Sequence, residues 1–139
     1  MNEVGLVSVI IPTYNRANDL KAAIKSVQSQ SYKNWELIIV DDHSDDHTPQ
    51  VVQSFHDRRI NYIRHEQNMG GAKSRNTGIN SASGDFIAFL DSDDLWPETK
   101  IESQLHAFKK NDEIGLVFCG TITIDNGIEK HHNWEYEGY

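Results

Sequence analysis

The sequence predicts an α/β fold in which a mostly parallel, Rossmann-like sheet is flanked by helices. Nearly continuous apolar runs rich in Val and Ile alternate along the chain with segments whose apolar residues repeat at helical spacing. Such runs are typical of strands buried on both faces, and strand–helix alternation favours a parallel sheet. The length of 139 residues suffices for one domain around one core.

The predicted strands are short and regularly spaced. They lie at 7–11, 35–40, 60–63, 85–90 and 116–119. The first ends at Pro12, and the third alternates apolar and polar residues. Beyond the last strand, Asn126 and Gly127 suit the positive φ angles of a tight turn.

The predicted helices occupy the intervals between these strands. Four apolar residues spaced i, i+3, i+4 and i+7 indicate the first helix; they are Leu20, Ala23, Ile24 and Val27. Asn18 or Asp19 is expected to cap its start. Thr48 followed by Pro49 predicts the start of a second helix. Two further helices are predicted at 70–82 and from 97 to 110.

Composition restricts the classes of function. Lys and Arg number 13 against 21 Asp and Glu, a formal net charge of −8, which disfavours binding to nucleic acid. The single cysteine, Cys119, cannot form an internal disulfide, so nothing requires an oxidising compartment. The apolar runs are too short to cross a bilayer, and no basic signal-peptide start is present. We therefore expect a cytoplasmic protein.

The carboxyl ends of the predicted strands identify the candidate site, because ligands of parallel α/β sheets gather there. Polar segments follow the first four strands at 12–16, 41–46, 65–71 and 91–94, and two of them are acidic. Carboxylate oxygens favour Mg²⁺ or Mn²⁺ over zinc, so the Asp-x-Asp at 91–93 suggests a metal–phosphate site. The same aspartates would equally suit a solvated turn that caps the next helix.

Two further features admit two interpretations each. The glycine-rich helix start at 68–76 could offer its free N–H groups and the charges of Lys73 and Arg75 to a diphosphate. In the alternative interpretation, the segment is an ordinary amphipathic helix whose Lys73 and Arg75 side chains lie in water. Tyr14, after a proline at a strand end, could stack on a base or pack in the core. A phosphohydrolase is disfavoured because its Asp-x-Asp would follow the first strand, whereas here it follows the fourth.

Taken together, four ordered segments closely resemble the family 2 glycosyltransferases of the GT-A fold. They read VSVIIPTYNR, VDDHS, NMGGAKSRNTG and GDFIAFLDSDD. The resemblance implies the nucleotide-binding half of a GT-A fold. It also implies inverting transfer of a sugar from a nucleotide diphosphate donor, often a UDP-sugar, to a hydroxyl of a saccharide or lipid-linked acceptor. The expected setting is cell-surface polysaccharide or glycolipid synthesis.

The resemblance also implies roles for individual residues. The positions expected at the nucleotide are Pro12, Tyr14, Asp42, Lys73, Arg75 and Asp91. Pro12 and Tyr14 would line the base pocket, and Asp42 would accept a hydrogen bond from the base. Asp93, together with Asp91, would ligate the Mn²⁺ or Mg²⁺ ion that bridges the two phosphates.

The family's general base belongs to an acceptor half, and no acidic residue after Asp94 matches its motif. We therefore expect residues 1–139 to form a single, incomplete GT-A-type domain, with nucleotide-sugar binding at 6–120. The alternative is a non-catalytic nucleotide-sugar-binding module. Aromatic residues of the tail would pack against absent sequence or favour self-association; they are Trp134, Tyr136 and Tyr139. Peripheral attachment at the inner membrane face is left open for a longer protein.

Overall fold

A parallel sheet of four strands is the centre of the first part of the chain. In the computed structural model, which describes residues 5–132, its strands are β1 (Val7–Thr13), β2 (Trp35–Asp41), β3 (Ile60–Arg64) and β4 (Phe86–Phe89). Their order is β3-β2-β1-β4, and every pair is parallel. The predicted α/β class is confirmed.

Four helices connect or follow these strands. They are α1 (Ala17–Gln28), α2 (Thr48–Gln53), α3 (Gly71–Ser81) and α4 (Lys100–Phe108). The apolar face predicted for the first helix is buried as expected. Its predicted cap is wrong, because α1 begins at Ala17 and its first N–H is bonded by the distant side chain of Asp46. The last helix begins at Lys100 rather than at Pro97.

Both faces of the two central strands, β1 and β2, are covered. Ile10, Ile38 and Val40 point to one face, where they pack with Ile63 and Ala82. Because side chains alternate along a strand, the intervening residues point to the other face. Val9, Ile11, Leu37 and Ile39 are likewise fully buried there. Strands buried on both sides explain why β1 and β2 are apolar almost throughout.

Helix α3 lies unusually close to β1. A Cβ atom added at Gly78 would collide with the side chain of Ile10, so the helix can approach the strand only because this residue is glycine. Ser74 and Gly78 are the buried residues of α3. α3 therefore buries small residues in place of the usual row of large apolar side chains. This close packing brings the start of α3 against the carboxyl edge of the sheet.

The Gly78→Ala variant is expected to lower the free energy of unfolding by about 1–3 kcal/mol, because overpacking against Ile10 outweighs the gain in helix propensity. Urea unfolding followed by circular dichroism measures the effect. Gly115→Ala is the matched control, since among the described residues no atom outside its chain neighbours lies within 4 Å of a Cβ there. Equal stability of the two variants would contradict the close packing of α3.

Two compact units divide the chain, Met1–Glu102 and Ser103–Tyr139. In the second unit, β5 (Thr121–Asp125) and β6 (Ile128–His132) form an antiparallel hairpin. The predicted turn between them is confirmed, with φ of 50° at Asn126 and 79° at Gly127.

The strand predicted at 116–119 is wrong. That segment has no regular structure, and Leu116 and Phe118 are exposed. An apolar run becomes a strand only where a neighbouring strand satisfies its backbone groups, and in the described part of this unit β5 and β6 pair with each other. The aromatic residues of the tail lie outside the described residues.

Within residues 5–132, no helix has the length and apolar character needed to cross a membrane.

Candidate functional site

An open cleft of about 240 Å³ lies at the carboxyl edge of the parallel sheet. The chain order reverses between β1 and β4, which is where ligands of such sheets bind. The cleft is lined by Pro12, Thr13, Tyr14, Arg16, Asp42, Gly71, Ser74, Arg75, Asp91, Ser92 and Asp93. All the residues predicted for the nucleotide and metal except Lys73 are thus brought together. Lys73 is exposed on α3 and is not part of this lining.

The loops after β1 and β2 are interlocked beneath the cleft. Asn15, whose φ is 51°, receives the Asp45 N–H on its side-chain oxygen at 2.8 Å. Its own N–H donates to Ser44 Oγ at 2.9 Å. The Asp42 N–H donates to the Thr13 carbonyl at 2.9 Å. These three hydrogen bonds join two loops that are distant in sequence into one structural unit.

Asp46 connects the two joined loops to the helices that follow them, α1 and α2. Its carboxylate accepts the first N–H of α1, from Ala17, at 3.1 Å and that of Thr48 in α2 at 2.9 Å. Burial acts to raise the pKa of Asp46, but hydrogen bonds from Thr48 and Ala17 outweigh it, so the pKa is lowered. The anionic cap favours both helix starts, because a helix N-terminus carries partial positive charge.

Asp42 is the buried carboxylate of the cleft. Its Oδ1 accepts hydrogen bonds from His65 Nδ1 and from the Met69 N–H, both at 2.8 Å, and its Oδ2 accepts the Gly70 N–H at 2.7 Å. Burial acts to raise the pKa of Asp42, yet the His65, Met69 and Gly70 bonds more than offset it and lower the pKa below its ordinary value. Asp42 is therefore ionised at neutral pH.

Gly70 makes this arrangement possible. Its φ of 86° and ψ of 158° lie in a region that essentially only glycine occupies. This backbone turn aims two successive N–H groups, from Met69 and Gly70, at the same carboxylate. The glycine-rich segment before α3 thus holds the Asp42 carboxylate, and its expected contact with a diphosphate stays a prediction.

Two arginines face two aspartates across the cleft. Arg75 Nη2 lies 2.6 Å from Asp91 Oδ1, and Arg16 Nη1 lies 3.4 Å from Asp93 Oδ2. All four side chains are about half exposed. Ion pairs as exposed as these contribute only ~0–1 kcal/mol to stability. A ligand group of the same charge can therefore readily replace either member of a pair.

Negative charge is concentrated beside these pairs. The pKa of Asp94 is raised, first by desolvation of its carboxyl group and then by the charges of Asp93 and Asp91. Carboxylates that repel one another in this way favour the arrival of a cation.

Asp91 and Asp93 suit a divalent cation that is shared with a phosphate-bearing ligand. Among residues 5–132, no group of three or more His, Cys, Asp or Glu side chains could hold a metal by itself. Mg²⁺-like ions, however, usually reach the protein through one or two carboxylates, with water and substrate phosphates as the remaining ligands. Two carboxylates in the cleft lining match that donor set.

The sequence placed several further residues of the site in the segments at the strand ends but assigned no role to them. Arg16 and Thr13 line the cleft, and the buried Thr13 hydroxyl has no hydrogen-bond partner among the described residues. Asp41 is fully buried and accepts a hydrogen bond from the Tyr62 hydroxyl. Burial raises the pKa of Tyr62, and the hydrogen bond to Asp41 raises it further. His65 is the other addition. The only available signal was that each follows or ends a strand at the carboxyl edge.

The fold and the position of the cleft define an α/β protein of the GT-A class, and solved structures support this class. TarS of S. aureus matches with a TM-score of 0.72 and 27% identity over 85% of this chain and 21% of TarS. Residues 1–349 of TarS in complex with UDP-GlcNAc match at 0.71 and 30%, over 75% and 31% of the two chains. The mannosyltransferase PcManGT of Pyrobaculum calidifontis, in complex with GDP-Man and Mn²⁺, matches at 0.62 and 31%, over 66% and 28%.

The sequence model of Glycosyl transferase family 2 matches residues 8–139, and the chain belongs to this family. Two relatives from Escherichia coli, WfgD and WfaP, are each named UDP-Glc:alpha-D-GlcNAc-diphosphoundecaprenol beta-1,3-glucosyltransferase. WfgD is 48% identical over 87% of this chain, and WfaP is 46% identical over 73%. The matched regions cover 47% and 40% of these two relatives, so the chain spans about half their length or less.

Proposed function

We propose that the chain is the nucleotide-sugar-binding part of an inverting glycosyltransferase. It would transfer a sugar from a UDP-sugar to a hydroxyl of a saccharide or lipid-linked acceptor, in cell-surface polysaccharide or glycolipid synthesis. The observation that carries the proposal is the cleft that gathers an exposed aromatic ring, an ionised buried carboxylate and two arginine–aspartate pairs. The names of WfgD and of the UDP-GlcNAc complex of TarS support the donor class.

The nucleoside end of the donor would lie between the loops after β1 and β2. Tyr14 lines the cleft with 45% of its surface exposed, which suits stacking on a base. Pro12 adds an apolar wall beside it. Asp42 lies at the bottom of the cleft and would accept the base N–H.

The diphosphate would lie between the two arginine–aspartate pairs. Arg75 and Arg16 can turn from their aspartates to phosphate oxygens, because guanidinium groups bind both anions in the same forked geometry. Asp93 and Asp91 would then hold Mn²⁺ or Mg²⁺. When bound, such an ion supplies Lewis-acid stabilisation of the charge that develops on the leaving diphosphate.

Inversion requires that an acceptor hydroxyl attack the sugar from the side opposite the diphosphate. A general base must take the hydroxyl proton as the new bond forms. Of the acidic residues that follow Asp94 within the first unit, neither Glu98 nor Glu102 lines the cleft, so the proposal assigns the base to neither of them. We place it in the half of a longer enzyme that lies outside the matched part of the relatives. Residues 1–139 then form one incomplete domain, with donor binding at 6–120 and a cytoplasmic location.

Calorimetric titration of UDP and GDP into the 139-residue chain, with and without Mn²⁺, tests the proposal. We expect UDP to bind, more tightly with Mn²⁺, and GDP to bind more weakly. A preference for GDP would overturn the UDP-sugar assignment, and failure of both nucleotides to bind would overturn the donor site. Sugar transfer to any acceptor by the chain alone would contradict the placement of the base outside it.

The Arg75→Met variant is expected to weaken UDP binding by about tenfold, as for loss of one charge-assisted contact. Binding of uridine, which has no phosphate, should change by less than about twofold. Calorimetry with both ligands measures the difference. Lys25→Met, which removes the same charge from the exposed face of α1, is the matched control. Lys73→Met, on the same helix as Arg75, tests whether Lys73 reaches the nucleotide. Equal losses for uridine and UDP would contradict a phosphate role for Arg75.

A further inference from the structure

The carboxylate of Asp42 is held by a histidine that is itself held at both ring nitrogens. His65 Nδ1 lies 2.8 Å from Asp42 Oδ1, and His65 Nε2 lies 2.9 Å from Thr77 Oγ1 on α3. The His65 side chain is only 9% exposed and the Asp42 side chain only 5%. The imidazole ring of His65 therefore links Asp42, at the bottom of the cleft, to α3, the helix that carries Arg75.

We propose that His65 is a positioning residue that makes the cleft select bases carrying a ring N–H. It would do so by fixing Asp42 with one acceptor position left for the ligand. The inference rests on the proposed function, because it assumes that the cleft receives a nucleobase. It goes beyond that function by assigning base selectivity to a residue that does not line the cleft.

Counting the acceptor positions of Asp42 shows why only one is left. A carboxylate has two oxygens and accepts about four hydrogen bonds. Oδ1 already accepts two, from His65 and Met69, whereas among the described residues Oδ2 accepts one, from Gly70. The remaining position belongs to Oδ2, and rotation of the carboxylate would break the bonds on both oxygens.

The proton on His65 has a defined place. An ionised carboxylate can only accept, so Nδ1 must carry the hydrogen in the bond to Asp42. Nε2 then faces the Thr77 hydroxyl, which can donate to it. A ring constrained at both nitrogens cannot flip, and it thereby prevents Asp42 from turning.

This arrangement distinguishes uracil from cytosine. The N3 of uracil carries a hydrogen and can donate to the remaining acceptor, whereas the N3 of cytosine has a lone pair that would face an ionised oxygen. A site built to hydrogen-bond one group rejects an analogue that lacks it, because the buried polar atom is left unpaired. UDP and CDP are alike in size and charge and differ at N3 and at the group on C4, so the change in their affinity ratio when His65 is replaced reports on this contact.

The experiment compares UDP and CDP binding to wild type, His65→Ala, His65→Asn and His65→Gln. We expect wild type to favour UDP, and His65→Ala to reduce the UDP-to-CDP affinity ratio by about tenfold, mainly through weaker UDP binding. His65→Asn should keep most of the ratio, because its amide nitrogen takes the place of Nδ1. His65→Gln, whose amide matches Nε2 instead, should not. His56→Ala, at an exposed histidine, is the matched control.

A second measurement does not depend on nucleotide. The imidazole ¹⁵N shifts of the free chain should assign the hydrogen of His65 to Nδ1, and thermal unfolding of each variant separates positioning from loss of fold. If His65→Ala does not fold, the Asn and Gln variants carry the comparison. A His65 without the Nδ1 hydrogen would overturn the positioning role, and so would an unchanged ratio in His65→Ala. A wild type that binds neither nucleotide would overturn the proposed function and the selectivity with it.

Discussion

The Asp42→Asn variant is expected to lose UDP affinity by about 100-fold and to lower the free energy of unfolding by about 1–3 kcal/mol, as for a buried donor left unsatisfied. Asparagine replaces one carboxylate oxygen with an NH₂ group. Placed at Oδ1, that group would face the donors of His65 and Met69, and at Oδ2 it would face the Gly70 N–H. Either orientation sets a donor against a donor, and the second also presents the wrong group to the base.

The same variant should alter the pH dependence of stability. Because the pKa of Asp42 is lowered from 3.8 on folding, its stabilisation is fully present above pH 3.8 and is lost as the pH falls through the folded-state value. Unfolding by urea at several pH values should show a flatter acid limb for Asp42→Asn.

Asp45→Asn is the matched control for both effects. It makes the same chemical change at an exposed position of the same loop, and it should leave stability within ~0.5 kcal/mol of wild type. If the two variants behave alike, the central role given to Asp42 is wrong.

The second large effect is expected from Asp93→Asn. It should remove most of the Mn²⁺-dependent part of UDP binding, about 100-fold in affinity, and leave the metal-independent part. The fold should survive, because Asp93 is about half exposed and its partner is the exposed Arg16. Calorimetry with UDP, with and without Mn²⁺, measures both parts.

Asp19→Asn controls for the change in charge around Arg16. Asp19 lies 3.6 Å from the same Arg16 nitrogen and is equally exposed, but it does not line the cleft. Unchanged Mn²⁺-dependent binding in Asp93→Asn, or an equal loss in Asp19→Asn, would falsify the assignment of Asp93 to the metal.

Much of the first unit could be predicted because its signals are local. Residues 35–40 were predicted as a strand, and β2 extends this run by one residue. The start of α1 could not be predicted in the same way. Asp46, which caps it, is 29 positions from Ala17, and only the folded chain brings them together. The prediction of a strand at 116–119 is wrong for a related reason. A strand needs a neighbouring strand to pair with, and the local sequence does not show which strands are neighbours.

The site was predictable in position but not in detail. The rule for parallel sheets placed Tyr14, Asp42 and Asp93 at one edge, and the cleft unites them. The partners of Asp42 depend on the backbone at Gly70 and on a histidine 23 residues away. Spacing along the sequence carries no information about such contacts.

The interlocked loops after β1 and β2 also restrict how this site can change in evolution. Because Asn15 and Ser44 hydrogen-bond each other's loops, a residue inserted into one loop displaces anchor points in the other. Length variation that spares the cleft should therefore fall in other loops. Changes in donor preference would then arise by substitution within loops of fixed length, not by loop exchange.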